Sequence, residues 1–419
     1  MANTLKFGNG NWATKEGFTL AYNDENGNFK PLPFSFSRGS VPIGSKATTI
    51  NKDGLIEEVG NNVPRIDYLN DSNGALLLEP QSTNTSTYSN DFTQGDIFNS
   101  SGNPGKSNAV LTSQQITAPD GTNNGWLLKD NNDGGSGPSN LQYFSTQVNS
   151  DDFNTISIFV KKALSNDFLI LESASYDADG NGRSYFNISN GSFGSISTNH
   201  TAKIEDYGDG WYRCSITFRT TTDVQGAIYI RLSSSNGTVD ITRDGTNGVY
   251  LFGLQCEADA TQNYPTSYIP TQGSAVTRLQ DKCLKDDFSI LTVGNSYTLF
   301  FDVDLNEKDD NKTFFNIENS SGSTSFTVRS VIGGMVRVYN NLDLQYPTGN
   351  LASSTNKWVV RIDGTSFKIF GAEGSLSGTL TTARDMGEGI FGRFTQTKIN
   401  DFKVYNTALS DSESEALVN

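Results

Sequence analysis

Polar turn residues break this chain into short apolar runs. Positions 156–160, 168–171, 214–218, 227–230, 249–252, 297–301, 335–339 and 358–362 are each four or five residues rich in β-branched and aromatic side chains. Between the runs stand Asn-Gly pairs at 73–74, 190–191, 236–237 and 247–248, and Asp-Gly pairs at 53–54, 120–121, 209–210, 244–245 and 363–364. These pairs tolerate the positive φ that tight hairpins need. Strands of this length, joined this way, predict an all-β chain of antiparallel sandwiches rather than βαβ units. One helix is predicted, at the C-terminus. Ser410-Asp411-Ser412-Glu413 has the spacing of a capping box, its acids suit the helix dipole, and Ala416 and Leu417 give it a short apolar face.

At 419 residues the chain exceeds one ordinary domain. Three segments are expected. Residues 1–84 are rich in Asn, Gly and Pro with few long strands, residues 85–278 hold enough strands for a jelly roll, and residues 279–419 make a second sandwich. Phe34, Phe36, Leu76, Leu77 and Leu78 crowd the first segment, which lacks the strand count of a self-sufficient core. It is therefore expected to gain burial from neighbouring copies or a larger particle. The stretch 264–271 is expected to be extended, because Pro265 and Pro270 bias the residues before them toward β or polyproline geometry.

Composition narrows the classes. Aromatic residues at 11 % are too many for a disordered chain, and 41 glycines are too few for collagen. No 18-residue apolar stretch or signal-peptide pattern is present, so no membrane insertion is expected. The net charge is −15, each of the three segments is acidic, and the nearest approach to a basic run is Lys161-Lys162. A surface that releases counterions from nucleic acid needs the opposite sign. Cys214, Cys256 and Cys283 are widely spaced and odd in number, which suits reduced thiols of a chain made in a cytoplasm.

Several motifs carry a family likeness. Phe34-Ser35-Phe36-Ser37-Arg38-Gly39-Ser40, Asn62-Val63-Pro64-Arg65-Ile66-Asp67-Tyr68, Gly74-Ala75-Leu76-Leu77-Leu78-Glu79-Pro80 and Tyr88-Ser89-Asn90-Asp91-Phe92 follow one another. This block resembles the N-terminal module of tailed-bacteriophage virion proteins. The middle segment, with Gly210-Trp211-Tyr212-Arg213-Cys214 and the 265–271 stretch, resembles a carbohydrate-binding-module jelly roll. The last segment, with Asp363-Gly364 and the run 399–410, resembles a concanavalin-A-like, laminin-G-type sandwich. The likeness implies a head or tail fibre on the virion surface, synthesised in the bacterial host cytoplasm and often trimeric. Residues 1–84 would then dock on a capsid or tail protein, and the sandwiches would meet host-surface glycan. The alternatives are a capsid decoration protein without ligand, a secreted lectin-like adhesin and a polysaccharide depolymerase.

Candidate chemistry is sparse. Asp177, Asp179 and Asn181, followed by Gly182, match the first half of a calcium loop, but Ile188 stands where that pattern requires Glu. Calcium there competes with a plain polar turn. Trp12, Trp126, Trp211 and Trp358 have faces that could stack on sugar rings, with Trp126 the candidate ligand contact, or could fill cores. His200 is the only histidine, and no Gly-x-Ser-x-Gly elbow accompanies it, so it is expected to be a solvated turn residue. Cys283 has no base nearby in sequence and is expected to be inert. The chain is expected not to be an enzyme.

Overall fold

The computed structural model describes residues 18–23, 29–38, 47–94, 105–144, 148–260, 262–285, 296–305, 312–318, 324–331, 335–339, 345–352, 356–379, 389–391, 396–405 and 407–419. These residues are nearly all β-structure, with one helix, Asp411–Val418. All eight apolar runs lie in strands. Gly54, Gly74, Gly121, Gly191, Gly210 and Gly364, from the turn pairs, have positive φ. The helix has both bonds of the capping box: Ser410 Oγ accepts from Glu413 N–H, and the Glu413 carboxylate accepts from Ser410 N–H.

Two compact units share the chain. The central unit comprises Pro42–Glu58 and Ser82–Arg278, and the interleaved unit comprises Met1–Val41, Val59–Gln81 and Leu279–Asn419. The expected boundary at 278 coincides with a unit boundary. Residues 1–84, however, are divided between the two units.

In the central unit, one six-stranded sheet runs in the order Thr201–Asp206, Trp211–Phe218, Phe153–Lys162, Gly248–Asp259, Gly125–Asp130, Ala109–Ile116. The other runs Ser192–Phe193, Gly182–Asn187, Phe168–Ala174, Ala227–Ser233, Asn140–Phe144, Lys106–Ser107. Every pairing is antiparallel, and the chain crosses back and forth between the two sheets, with some consecutive strands staying in one sheet. Strand alternation sends Ile156, Ile158 and Val160 from the first sheet and Leu169, Leu171, Ile228 and Ile230 from the second into one core.

In the interleaved unit, Phe29–Ser37 pairs with Phe18–Asn23 on one side and Lys282–Lys285 on the other, carrying one ladder into the next. One half continues through Thr397–Tyr405, Tyr297–Leu305, Lys357–Asp363, Ser366–Gly371 and Gly374–Thr379. The other continues through Gly389–Phe391, Lys312–Glu318, Thr324–Val331, Met335–Tyr339 and Gln345–Ala352. Phe18–Asn23 runs parallel to Thr397–Tyr405, an exception among otherwise antiparallel pairs. Leu299, Phe301, Val360 and Ile362 meet Phe314, Phe315, Ile317 and Phe391 in the core between the halves.

This arrangement corrects the expectation for the N-terminal segment. Leu76 and Leu78 are buried in that same core with Phe36 against it, so their burial comes from the C-terminal strands of the same chain. The motifs also meet there. Arg38 Nε donates to Asp281 Oδ1 at 2.7 Å, and Arg65 reaches both Asp281 and, at 2.7 Å, Glu79 Oε2. Gln396 Nε2 closes the group with a 2.6 Å bond to Glu79 Oε1. Burial alone would pull the Arg65 pKa down; the two carboxylates outweigh it and push it up. Removing one partner from a buried ion cluster leaves an uncompensated charge, so its members depend on one another. Here the cluster joins four sequence-distant stretches.

Candidate functional site

The two outer faces of the central unit differ. The outer row of the first sheet is Thr155, Ser157, Arg213, Gln255 and Glu257, and these residues serve the chain's own returning segments. Arg213 Nη1 donates to Thr266 O at 2.6 Å, Gln255 Oε1 accepts from Ile269 N, and Glu257 accepts from Thr266 N–H and from Ser82 Oγ. Asn84 Nδ2 donates to Ile269 O. The stretch 264–271, expected to be extended, forms no strand and is held along this face by side-chain bonds.

The second sheet's outer face carries a different set. Alternation along Phe168–Ala174 and Ala227–Ser233 sends Leu169, Leu171, Ile228 and Ile230 inward and Glu172, Tyr229 and Arg231 outward. Register places Glu172 opposite Tyr229 on one side and Arg183 on the other, and Arg231 opposite Asn140. Glu172 is gripped from both sides. Arg183 binds it in a fork, Nε to Oε2 at 3.1 Å and Nη2 to Oε1 at 2.8 Å, while Arg231 Nε reaches Oε2 at 2.6 Å. Arg231 Nη1 then donates to Asn140 Oδ1 at 2.7 Å, and its guanidinium lies 4.1 Å from the centre of the Tyr229 ring. Asn140 Nδ2 is buried with no hydrogen-bond partner.

The electrostatics of the group follow. Burial would raise the Glu172 carboxyl pKa, but the hydrogen bonds from Arg183 and the charge of Arg231 hold it below its usual range. An ionised carboxylate clasped by two guanidiniums positions them; it is not a proton donor for glycoside hydrolysis. The Arg183 side chain is 40 % exposed, which puts part of this fork in solvent.

The residues singled out in the sequence lie elsewhere. Trp126 is a core residue: it is 8 % exposed, meets Phe92 edge to face at 5.9 Å, and donates from Nε1 to Asn90 O. Its ring has no face left for a sugar. Trp211 and Trp358 are each 2 % exposed, and Trp12 lies outside the described residues.

Asp177 and Asn181 come together in a loop, and Asp179 points to solvent beside them. The donor set does not fit calcium. Asp177 Oδ1 accepts from Gly180 N–H, and its Oδ2 accepts from the backbone N–H and hydroxyl groups of both Thr221 and Thr222. Burial would raise the Asp177 pKa, but these bonds outweigh it and lower it to about 2. Asn181 spends its amide on the Tyr176 backbone, accepting from N–H and donating to the carbonyl. The half-motif is a braced turn, and among the described residues no group of three or more His, Cys, Asp or Glu side chains could hold a metal.

His200 is not the solvated turn residue expected. It is 7 % exposed, with Nε2 and Nδ1 each 2.8 Å from a serine hydroxyl, Ser173 and Ser184 respectively. Ser173 Oγ donates to Gly180 O at 2.6 Å, so it must accept from His200 Nε2–H; Nδ1 then accepts from Ser184. The Ser173 proton is committed to a carbonyl, so the pair is not an activated nucleophile. Cys283 is buried, and burial raises its thiol pKa.

No family model matches the sequence, and no curated protein matches it. Among solved structures, the chain has distant structural similarity to laminin G-like domains. One is the LG1-3 region of the laminin α2 chain, at 10 % identity over 67 % of this chain and 67 % of that one, with a TM-score of 0.22. Another is domains LG4-5 of the mouse laminin α1 chain, at 8 % identity over 64 % of this chain and 88 % of that one, with a TM-score of 0.20. Likenesses this distant carry nothing about ligand or partner. Among the described residues, no helix is long and apolar enough to cross a membrane.

Proposed function

We propose that this chain is a non-catalytic glycan-binding protein carried on a tailed-phage virion as a head or tail fibre. The observation that carries the binding reading is the outer face of the central unit's second sheet. There an aromatic ring, two guanidiniums and an amide stand on rigid strands, while the opposite outer face is occupied by the chain's own segments. Rings and planar donors on a fixed sheet are the groups that hold sugars. The virion setting rests on the motif likeness, whose Arg38, Arg65 and Glu79 build the buried cluster of the interleaved unit. Assembly as a homotrimer and docking on a capsid or tail protein belong to the same proposal.

A glycan array of host-surface polysaccharides tests the binding reading. Wild type is expected to bind and Tyr229→Ala to lose binding without a change in melting temperature. Release of reducing ends from any bound polysaccharide would overturn the non-catalytic reading in favour of a depolymerase. Cosedimentation with phage particles tests the setting, and a protein that never sediments with them refutes it.

A further inference from the structure

We infer that the group this face receives is an anion, a uronate carboxylate or a sulfate ester of an acidic polysaccharide; the inference rests on the glycan-binding reading above. Donor accounting carries it. Glu172 provides the face's carboxylate, and both of its oxygens are already spent on Arg183 and Arg231. The guanidiniums are not fully spent. Arg183 bonds Glu172 through Nε and Nη2 and also bonds the Tyr185 side chain, yet keeps 40 % of its side chain exposed, and Asn140 Nδ2 has no hydrogen-bond partner. Neutral sugar hydroxyls are held best by a mixture of acceptors and donors, and here the charged acceptor is committed while donors remain.

Charge points the same way. Two arginines and one glutamate leave this cluster net positive on a chain of net charge −15. Arg183 is the accessible member: Glu172 takes its Nε–Nη2 edge and fixes its plane, and the charge that it keeps partly in solvent suits a carboxylate or a sulfate. On a chain of net charge −15, a net-positive cluster is a place where a polyanion meets less repulsion.

The test is titration calorimetry of the full chain with oligogalacturonate and a sulfated galactan oligosaccharide. The comparison ligands are carboxyl-reduced and desulfated versions of the same length. Wild type is expected to bind at least one acidic ligand about tenfold or more tighter than its neutral counterpart, with affinity falling as salt rises. Arg183→Gln should remove that preference while Glu172 stays held by Arg231. Arg183→Lys, which keeps the charge but not the fork, should retain part of it. Equal affinity for acidic and neutral ligands, or a preference untouched by Arg183→Gln, overturns the anion inference and leaves glycan binding standing. Binding to neither class refutes the glycan reading itself, and the inference falls with it.

Discussion

The single histidine offers the sharpest test of how the central unit is built. Burial between Ser173 and Ser184 penalises the imidazolium; the nearby Glu172 charge pulls the other way but does not prevail, and the pKa falls to about 4 from its ordinary 6.5. A base whose pKa is depressed in the folded state binds its proton more readily when unfolded. Its contribution to stability is therefore present above about pH 6.5 and is lost as the pH falls toward about 4. A gap of this size amounts to roughly 3 kcal/mol in full, of which about 2 kcal/mol is lost between pH 7.5 and 5. Urea unfolding of wild type and His200→Gln across that range isolates the term, because other titrating groups cancel in the difference. Wild type should lose about 2 kcal/mol more than the variant on acidification. Only one imidazole exists, so a long-range proton–nitrogen NMR spectrum needs no assignment, and it should report a neutral ring protonated on Nε2. A folded-state pKa at or above 6.5, the Nδ1–H tautomer, or equal pH slopes for the two proteins would refute the buried-serine account.

Three further outcomes are expected. Arg65→Met leaves Glu79 and Asp281 buried with less compensation and should destabilise the interleaved unit by about 3–5 kcal/mol in urea unfolding; a change under 1 kcal/mol would show the cluster to be dispensable. Millimolar calcium or a chelator should not move the melting temperature of the central unit, because Asp177 already accepts from Gly180, Thr221 and Thr222; a calcium-dependent rise at that loop would reverse this. Asp302 and Asp401 face each other across a strand pair, and burial raises both pKa values. Their protonated forms are favoured on folding, so this strain is greatest at neutral pH and relieved as the pH falls. Asp302→Asn should therefore stabilise the unit by several tenths of a kcal/mol at pH 7, measured by thermal melts, with the gain shrinking in acid.

Local features of the fold were legible in the sequence because they depend on neighbours. The turn pairs set hairpins, the apolar runs set strands, and Ser410 with Glu413 set the helix start. What was hidden depends on long-range pairing. Nothing near Leu76 announces that its ladder partner is Ile399, nor does Arg38 reveal Asp281. The site was half visible. In Ala227-Ile228-Tyr229-Ile230-Arg231-Leu232, strict alternation puts Tyr229 and Arg231 on the face opposite three aliphatic residues, a signal that strand reasoning could have used. Trp126 carries no such signal in sequence: its packing on Phe92 and its bond to Asn90 O join stretches more than 30 residues apart. The burial of His200 is not legible in its neighbours because its serine partners lie 27 and 16 residues away.

The way the two units share the chain bears on how a ribosome can deliver it. Every residue of the central unit has been made once Arg278 is added, but Phe18–Asn23 finds part of its ladder only when residues 403–405 emerge. At about 5–20 residues per second, the last segment takes on the order of ten to thirty seconds to synthesise. For that interval one edge of Phe18–Asn23 has no partner, and the strand that it awaits is chemically identical to the same strand on a neighbouring chain. Crowded translation would therefore favour exchanged pairs, and slow, dilute expression would favour chains closed upon themselves.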